Sequence, residues 1–358
     1  MKTIFHGKRI TGILGVVPET ISLFDDEIDN YNFPRSQTVR LKKVMGYKQH
    51  RLVKPTTSAS DLCNAGLDYI LSRGWLSKDE IGGIVVATPF PDHFIPPVSS
   101  LIHGKFQLDP EIFCVDMSQG CTGFVVALNE AFMLLDHMEA GKKVLVFSSE
   151  VLSKKVSKHD RNSYPLIGDA AGIAIAVNDD SAPDIFSIVR NRGDLDGVLT
   201  IPAGGSRLAC SPETARMYDT AGDGNIRSLD NLVMKGADVF TFAQTEVPPL
   251  IDDLMSFSGM SKENIDLLLM HQPNRFMVRK LAEKIGLPYE KVPSNLVENF
   301  GNSGGACIPM NITLNFPDLM KEKISHCVLC AFGSGLTWGA MTMELGNLDF
   351  CEMLETEL

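Results

Sequence analysis

The sequence predicts an α/β protein made of two layered halves of one design, and three observations carry that prediction. The first is an internal repeat: residues 76–89 return as residues 260–273, an offset of 184 positions. Leu76-Ser77-Lys78-Asp79-Glu80-Ile81 answers to Met260-Ser261-Lys262-Glu263-Asn264-Ile265. At the same spacing Cys121 falls opposite Gly305, and Val144–Phe147 falls opposite Val328–Ala331. A repeat of this length implies one fold built twice. The second observation is a set of short Val-, Ile- and Leu-rich runs bounded by Gly or Pro, the pattern of buried strands. The third is the helical periodicity between those runs, which suggests layers of sheet and helix packed together.

In chain order, strands are predicted at Ile10–Val17, Gly83–Thr88, Ile112–Asp116, Val144–Ser148 and Ala170–Val177. A second set follows at Ile185–Val189, Leu267–His271, Val328–Phe332 and Ala340–Glu344. Gly123–Met138 is apolar on nearly every side (Phe124, Val125, Val126, Leu128, Phe132, Leu134, Leu135), which predicts a deeply buried helix. Asp238–Phe257 is amphipathic, with Val239, Phe240, Phe242 and Leu254 set against Asp252 and Asp253. The segment Asp194–Leu229 is Gly-containing, charged and weakly periodic, as binding loops and lids often are. With no flexible linker between them, residues 1–180 and 181–358 read as two halves of one body.

The bulk numbers limit the functional classes. The chain has 358 residues, 44% hydrophobic and 22% charged, as ordinary soluble domains do. With 33 basic and 44 acidic residues the net charge is −11, which argues against general nucleic-acid binding. No apolar run is long enough for a membrane span. Lys8 and Arg9 interrupt the start before a signal-like stretch develops, so a cytoplasmic location is expected. Eight scattered cysteines suggest reduced thiols. Cys327 and Cys330 form a C-x-x-C inside a strand-like run with no second ligand pair, so no metal is expected there.

Three residues stand out because the repeat does not explain them. Cys121 lies between Gly120 and Gly123, just ahead of the buried helix. A helix N-terminus favours thiolate, the nucleophilic form, although the same cysteine also reads as an inert buried thiol. His271 ends a buried strand, where an imidazole can hold or deliver a proton, or serve only as a hydrogen-bonded core residue. Asn302, in the turn before the matching helix, offers a carboxamide to a developing oxyanion, or is simply a turn residue beside Gly. In a pseudo-twofold body the three meet at one cleft, with nucleophile, proton handler and oxyanion donor around one carbon, as covalent acyl chemistry requires.

With these residues the chain resembles the thiolase-fold condensing enzymes, and most closely the β-ketoacyl-acyl-carrier-protein synthase III family. The likeness rests on Gly120–Phe124, Gly168–Gly172, Leu199–Gly205, His271–Asn274, Gly301–Ser303 and Phe332–Gly339. It implies a thiolase-like αβαβα body and a Cys121–His271–Asn302 triad. It also implies oxyanion donors from the backbone N–H groups of Cys121 and Ser334, the latter in place of a common glycine. Arg161, Phe332, Asn274 and Ile95 would bind substrate. The implied enzyme is an acyltransferase that loads an acyl group on Cys121 and condenses it with malonyl-acyl-carrier protein, with loss of carbon dioxide. That step initiates fatty-acid or related acyl chains. The resemblance further implies no metal, no bound cofactor, thioesters of CoA or acyl carrier protein as substrates, and a homodimer in which Phe94–Ile95 reaches the neighbour.

Several departures bear on substrate choice. The family's nucleotide clamp, a tryptophan and an arginine, is replaced by Arg40 and Val44, while Arg161 is retained. The loop Pro89–Phe94 lacks the glutamate of branches resembling hydroxymethylglutaryl-CoA synthase. Phe276 stands where a basic docking residue is common. Arg275, Arg279, Lys280 and Lys284, with Lys154 and Lys155, form a candidate patch for an acidic carrier protein, or a solvated face. Acyl transfer to an alcohol or amine is the alternative activity. A non-catalytic scaffold subunit is disfavoured by the intact triad.

Overall fold

A computed structural model describes all residues, Met1–Leu358. Two mixed sheets form its core. In the first the strand order is Phe350–Thr356, Lys8–Pro18, Ala170–Asn178, Lys143–Glu150, Ile81–Ala87, Phe113–Met117. In the second it is Lys2–Phe5, Ile185–Asn191, Thr337–Leu345, Ser325–Gly333, Leu267–Met270. Between the sheets lie two helices, Gly123–Leu135 and Cys307–Asn315, whose Phe124, Leu128, Phe132, Ile308 and Ile312 share one core with both sheets. Ala59–Ser72 and Val98–Phe106 cover the outer face of the first sheet, and Gly236–Ser258 and Arg275–Ile285 that of the second. The layers are therefore αβαβα, the expected fold.

The sequence explains most of this arrangement. The central helix is buried over most of its surface because nearly every residue is apolar, and each fully buried large side chain contributes roughly 1.5–3 kcal/mol. Val126, Glu130, Met133 and Leu134 form a less buried side that the sequence reading did not expect. The repeat is visible in space: the 81–87 strand, the 123–135 helix and the 143–150 strand match the 267–270 strand, the 307–315 helix and the 325–333 strand. The halves diverge next. The second half turns directly from Gly333 to Thr337, whereas the first inserts residues 151–169 before its next strand.

The structure also departs from the expectations. The strand expected to close on His271 ends at Met270, although the His271 N–H still bonds the Cys330 carbonyl at 2.8 Å. The central helix stops at Leu135 instead of Met138, where His137 and Met138 turn back on Leu134 and Leu135. Strands at both termini escape the pattern, and they cross over: Lys2–Phe5 joins the second sheet and Phe350–Thr356 the first. The acidic C-terminal stretch Gly346–Leu358 thus supplies a parallel partner of the Lys8–Pro18 strand. Gly12 makes room for it, because a Cβ there would lie 2.2 Å from the Phe350 ring. No helix is long and apolar enough to cross a membrane.

Candidate active site

The two halves converge at the ends of their matching strands. Cys121, His271 and Asn302 line one cavity of about 400 Å³, together with Arg161, Asn274, Phe332 and Phe276. A second, mostly apolar cavity of about 230 Å³ meets it at Cys121 and Asn302, and adds Phe90, Glu150, Ile201, Leu232 and Ser334. Leu199, within the stretch Asp194–Leu229 singled out as a loop, lies on both cavities, and its two-residue strand pairs with Val233–Met234.

Cys121 sits in the turn before the 123–135 helix, against the backbone of the 325–333 strand. A Cβ on Gly333 would lie 2.4 Å from the Cys121 Cβ, so only glycine lets the two halves approach this closely. Burial pushes the thiol well above its usual range, and Glu150 and Cys307 add to the effect. The backbone N–H groups of Cys121 and Ser334 oppose it. The helix N-terminus therefore does not yield a resting thiolate. The same two N–H groups thus act on the sulfur from the cavity side of the turn.

His271 is buried at 2% exposure and sits edge-on to Phe332, with ring centroids 5.5 Å apart. Burial lowers its pKa to about 4, opposed only by the Gly304 backbone, so the ring is neutral near pH 7. Its Nδ1 has no protein partner. Asn302 is held at its acceptor end: Oδ1 takes the Gly304 N–H at 3.0 Å and the Cys307 S–H at 3.3 Å. The amide Nδ2 is thereby left as a donor on the cavity side. The Asn302 backbone is fixed by bonds to Leu166 and Gly168 in the inserted segment, at 2.7 and 3.1 Å.

The other singled-out residues spread around this centre. Asn274 caps the 275–285 helix by accepting the Met277 N–H at 2.9 Å. Arg161 lies over the Phe33 ring at 3.5 Å, and its Nε and Nη1 are buried without a protein partner. With Arg40 and Val44 it borders a groove of about 200 Å³ at the cavity mouth. Arg275 donates to the Lys43 carbonyl, Lys280 pairs with Glu283, Lys284 bonds the Gln244 carbonyl, and Arg279 lies over Tyr289. Lys154 is tied to the Pro55 carbonyl. Phe94 and Ile95 are 85% and 84% exposed and reach neither cavity of their own chain. Cys327 and Cys330 are both buried in their strand, and no cluster of His, Cys, Asp or Glu could hold a metal.

Sequence reading missed Glu150. It ends the 143–150 strand at 2% exposure, accepts the Gly305 N–H at 3.1 Å and opens onto the smaller cavity beside Cys121. Burial raises its pKa to about 8, with Asp169 adding to the shift. The repeat offset marks it, because 150 plus 184 is 334, the position of Ser334.

The comparisons with known proteins agree on one family. The model for 3-oxoacyl-[acyl-carrier-protein (ACP)] synthase III matches residues 115–191, and the model for its C-terminal part matches residues 255–345. A β-ketoacyl-[acyl-carrier-protein] synthase III of Syntrophomonas wolfei is 30% identical over 303 residues, 84% of this chain and 87% of that one. A putative 3-oxoacyl-[acyl-carrier-protein] synthase 3 of Campylobacter jejuni is 28% identical over 97% of each chain. A solved 3-oxoacyl-(acyl-carrier protein) synthase from Burkholderia xenovorans superposes with a TM-score of 0.89 at 27% identity, covering 99% of each chain.

Proposed function

Since the chain belongs to the β-ketoacyl-acyl-carrier-protein synthase III family, we propose that it is an acyltransferase condensing a Cys121-bound acyl group with malonyl-acyl-carrier protein. The observation that carries this reading is the meeting of two cavities at Cys121, with His271 and Asn302 on the larger one. The larger cavity suits the arm of a thioester, and the smaller, apolar one suits its acyl chain.

In the first step the Cys121 sulfur gives up its proton and attacks the thioester carbonyl. The backbone N–H groups of Cys121 and Ser334 stabilise the tetrahedral oxyanion, and the free thiol leaves with a proton. In the second, malonyl thioester releases carbon dioxide. The enolate oxygen that forms is held by the Asn302 Nδ2 donor and by the N–H of neutral His271. The enolate carbon then attacks the acyl-cysteine, the C–S bond to Cys121 breaks to give the 3-oxoacyl thioester, and the released Cys121 thiolate takes a proton from water. A neutral imidazole suits this role, because it can donate without carrying a buried charge.

Domains, partners and location follow the same reading. Residues 1–180 supply the nucleophile and 181–358 the histidine and asparagine. Carrier protein docks near the cavity mouth, where Arg40, Arg161 and Arg275 lie, with Arg279, Lys280 and Lys284 along the helix beyond. The exposed Phe94–Ile95 pair supports a homodimer. The enzyme works in the cytoplasm on CoA or carrier-protein thioesters, with no bound cofactor or metal.

Intact-mass measurement after exposure to acyl-CoAs and acyl-carrier proteins tests the reading. The wild-type chain is expected to gain one acyl mass, Cys121→Ser none, and the acyl-enzyme to release carbon dioxide from malonyl-carrier protein as it forms the 3-oxoacyl product. Absence of any adduct, or acyl transfer to an alcohol or amine without carbon dioxide release, would overturn it.

A further inference from the structure

Glu150 is a buried carboxyl at the meeting point of the halves, and none of the steps above uses it. Its Oε1 accepts the Gly305 N–H, and a Cβ on Gly304 would come within 2.3 Å of the same oxygen, so the carboxyl packs flat on the Gly304–Gly305 turn. The same turn aims the site. The Gly304 N–H holds Asn302 by its Oδ1, and the Gly304 backbone also acts on the His271 ring.

The repeat explains how this contact arises. Glu150 is the positional mate of Ser334, and Gly305 the mate of Cys121. In one half the Ser334 and Cys121 N–H groups face a sulfur that meets substrate. In the other, the Gly305 N–H occupies the place of the Cys121 N–H, and a protein carboxyl fills the space instead. No cation faces Glu150: its charged neighbour is Asp169, and burial keeps it largely protonated at neutral pH. A neutral acid there acts through its carbonyl oxygen and its shape, which an amide can copy.

We propose that Glu150 is a positioning residue for the condensation half-reaction: it fills the duplicated oxyanion turn and fixes the Gly304–Gly305 backbone, so that Asn302 presents its N–H to the malonyl thioester. This rests on the functional reading above and concerns only its second step. Acyl loading depends on Cys121 and the Ser334 turn, with which Glu150 shares a cavity wall but no hydrogen bond, so loading is measured separately from condensation.

The test separates the two half-reactions in Glu150→Gln and Glu150→Met. Loading of Cys121 is followed by mass, and carbon dioxide release from malonyl-carrier protein by the acyl-enzyme is followed as kcat and KM. Glu150→Gln keeps the acceptor and is expected to match wild type in both within about threefold. Glu150→Met keeps the bulk and loses the acceptor; loading should persist while kcat for carbon dioxide release falls about 10- to 100-fold, the scale of a misplaced catalytic group, at unchanged KM. If the methionine variant does not fold, Glu150→Asp, which withdraws the carboxyl by one methylene, should give the same split. Wild-type condensation in Glu150→Met, an equal loss in Glu150→Gln, or loading and condensation falling together would each overturn the proposal. Failure of the functional reading differs: wild type itself would then release no carbon dioxide.

Discussion

At the residue scale, two buried ionisable groups at the site pull stability in opposite directions with pH. The folded-state pKa of His271 is near 4, against 6.5 in an exposed chain. Between those values the unfolded chain binds a proton that the folded one refuses, so stability falls as pH drops from about 6.5 to about 4, by on the order of 3 kcal/mol. Glu150 behaves oppositely, with a folded-state pKa near 8 against 4.5 exposed. The folded state keeps a proton that the unfolded state loses, so its contribution is complete below pH 4.5 and fades as pH rises towards 8. Thermal unfolding of wild type and Glu150→Gln from pH 5 to 8 checks this. The variant should gain on wild type steadily as pH rises, and a constant difference would mean that Glu150 is already ionised in the folded protein. None of this was legible from the residue in its sequence window, where Glu150 is the polar end of an apolar strand. Its environment comes from Gly304 and Gly305, more than 150 positions away.

At the element scale, legibility followed burial. Runs such as 144–147 and 328–332 announce themselves because both faces are covered and their residues are apolar throughout. Residues 350–356 did not, because Glu352, Glu355 and Thr356 interrupt the run, and the strand is stabilised by partners that no local window contains. Phe350 is 1% exposed and stacks on Trp75 with ring centroids 4.5 Å apart. Arg51 pairs with Glu355 at 3.0 Å, and Tyr69 bonds Glu352 at 2.9 Å. The expected consequence is that Phe350→Ala costs about 3–5 kcal/mol, the range for removing a buried aromatic ring. Removal of residues 350–358 should do more, because it also bares the edge of the Lys8–Pro18 strand. Urea unfolding of the substituted chain and the soluble yield of the truncated one measure the two effects. A truncated protein as soluble and stable as the full chain would show that this strand is an ornament of the sheet.

At the scale of the whole molecule, duplication supplied two strand-to-helix turns, and divergence gave them different work. The likeness between halves was readable because it is carried by core runs. The coupling between them was not, because it runs through backbone atoms of the inserted segment 151–169. There Ile167 bridges Asn302, the Asn302 N–H reaches the Leu166 carbonyl, and the Gly168 N–H reaches the Asn302 carbonyl. A Cβ on Gly168 would stand 1.9 Å from the Phe300 carbonyl oxygen, and one on Gly301 would stand 2.7 Å from the Gly168 nitrogen. Two main chains therefore touch with no room for a methyl group, and rigid backbone cannot yield as a flexible side chain can. Gly168→Ala should push the 300–302 turn away, displace the Asn302 amide and lower condensation about 100-fold, with a fall in melting temperature. Gly197→Ala is the control, since a Cβ there meets nothing within 4 Å, and it should change neither quantity. If Gly168→Ala condensed like wild type, the halves would be aligned through the core alone. If it lost condensation while Cys121 still took an acyl group, the inserted segment would be what joins the nucleophile of one half to the enolate-binding groups of the other.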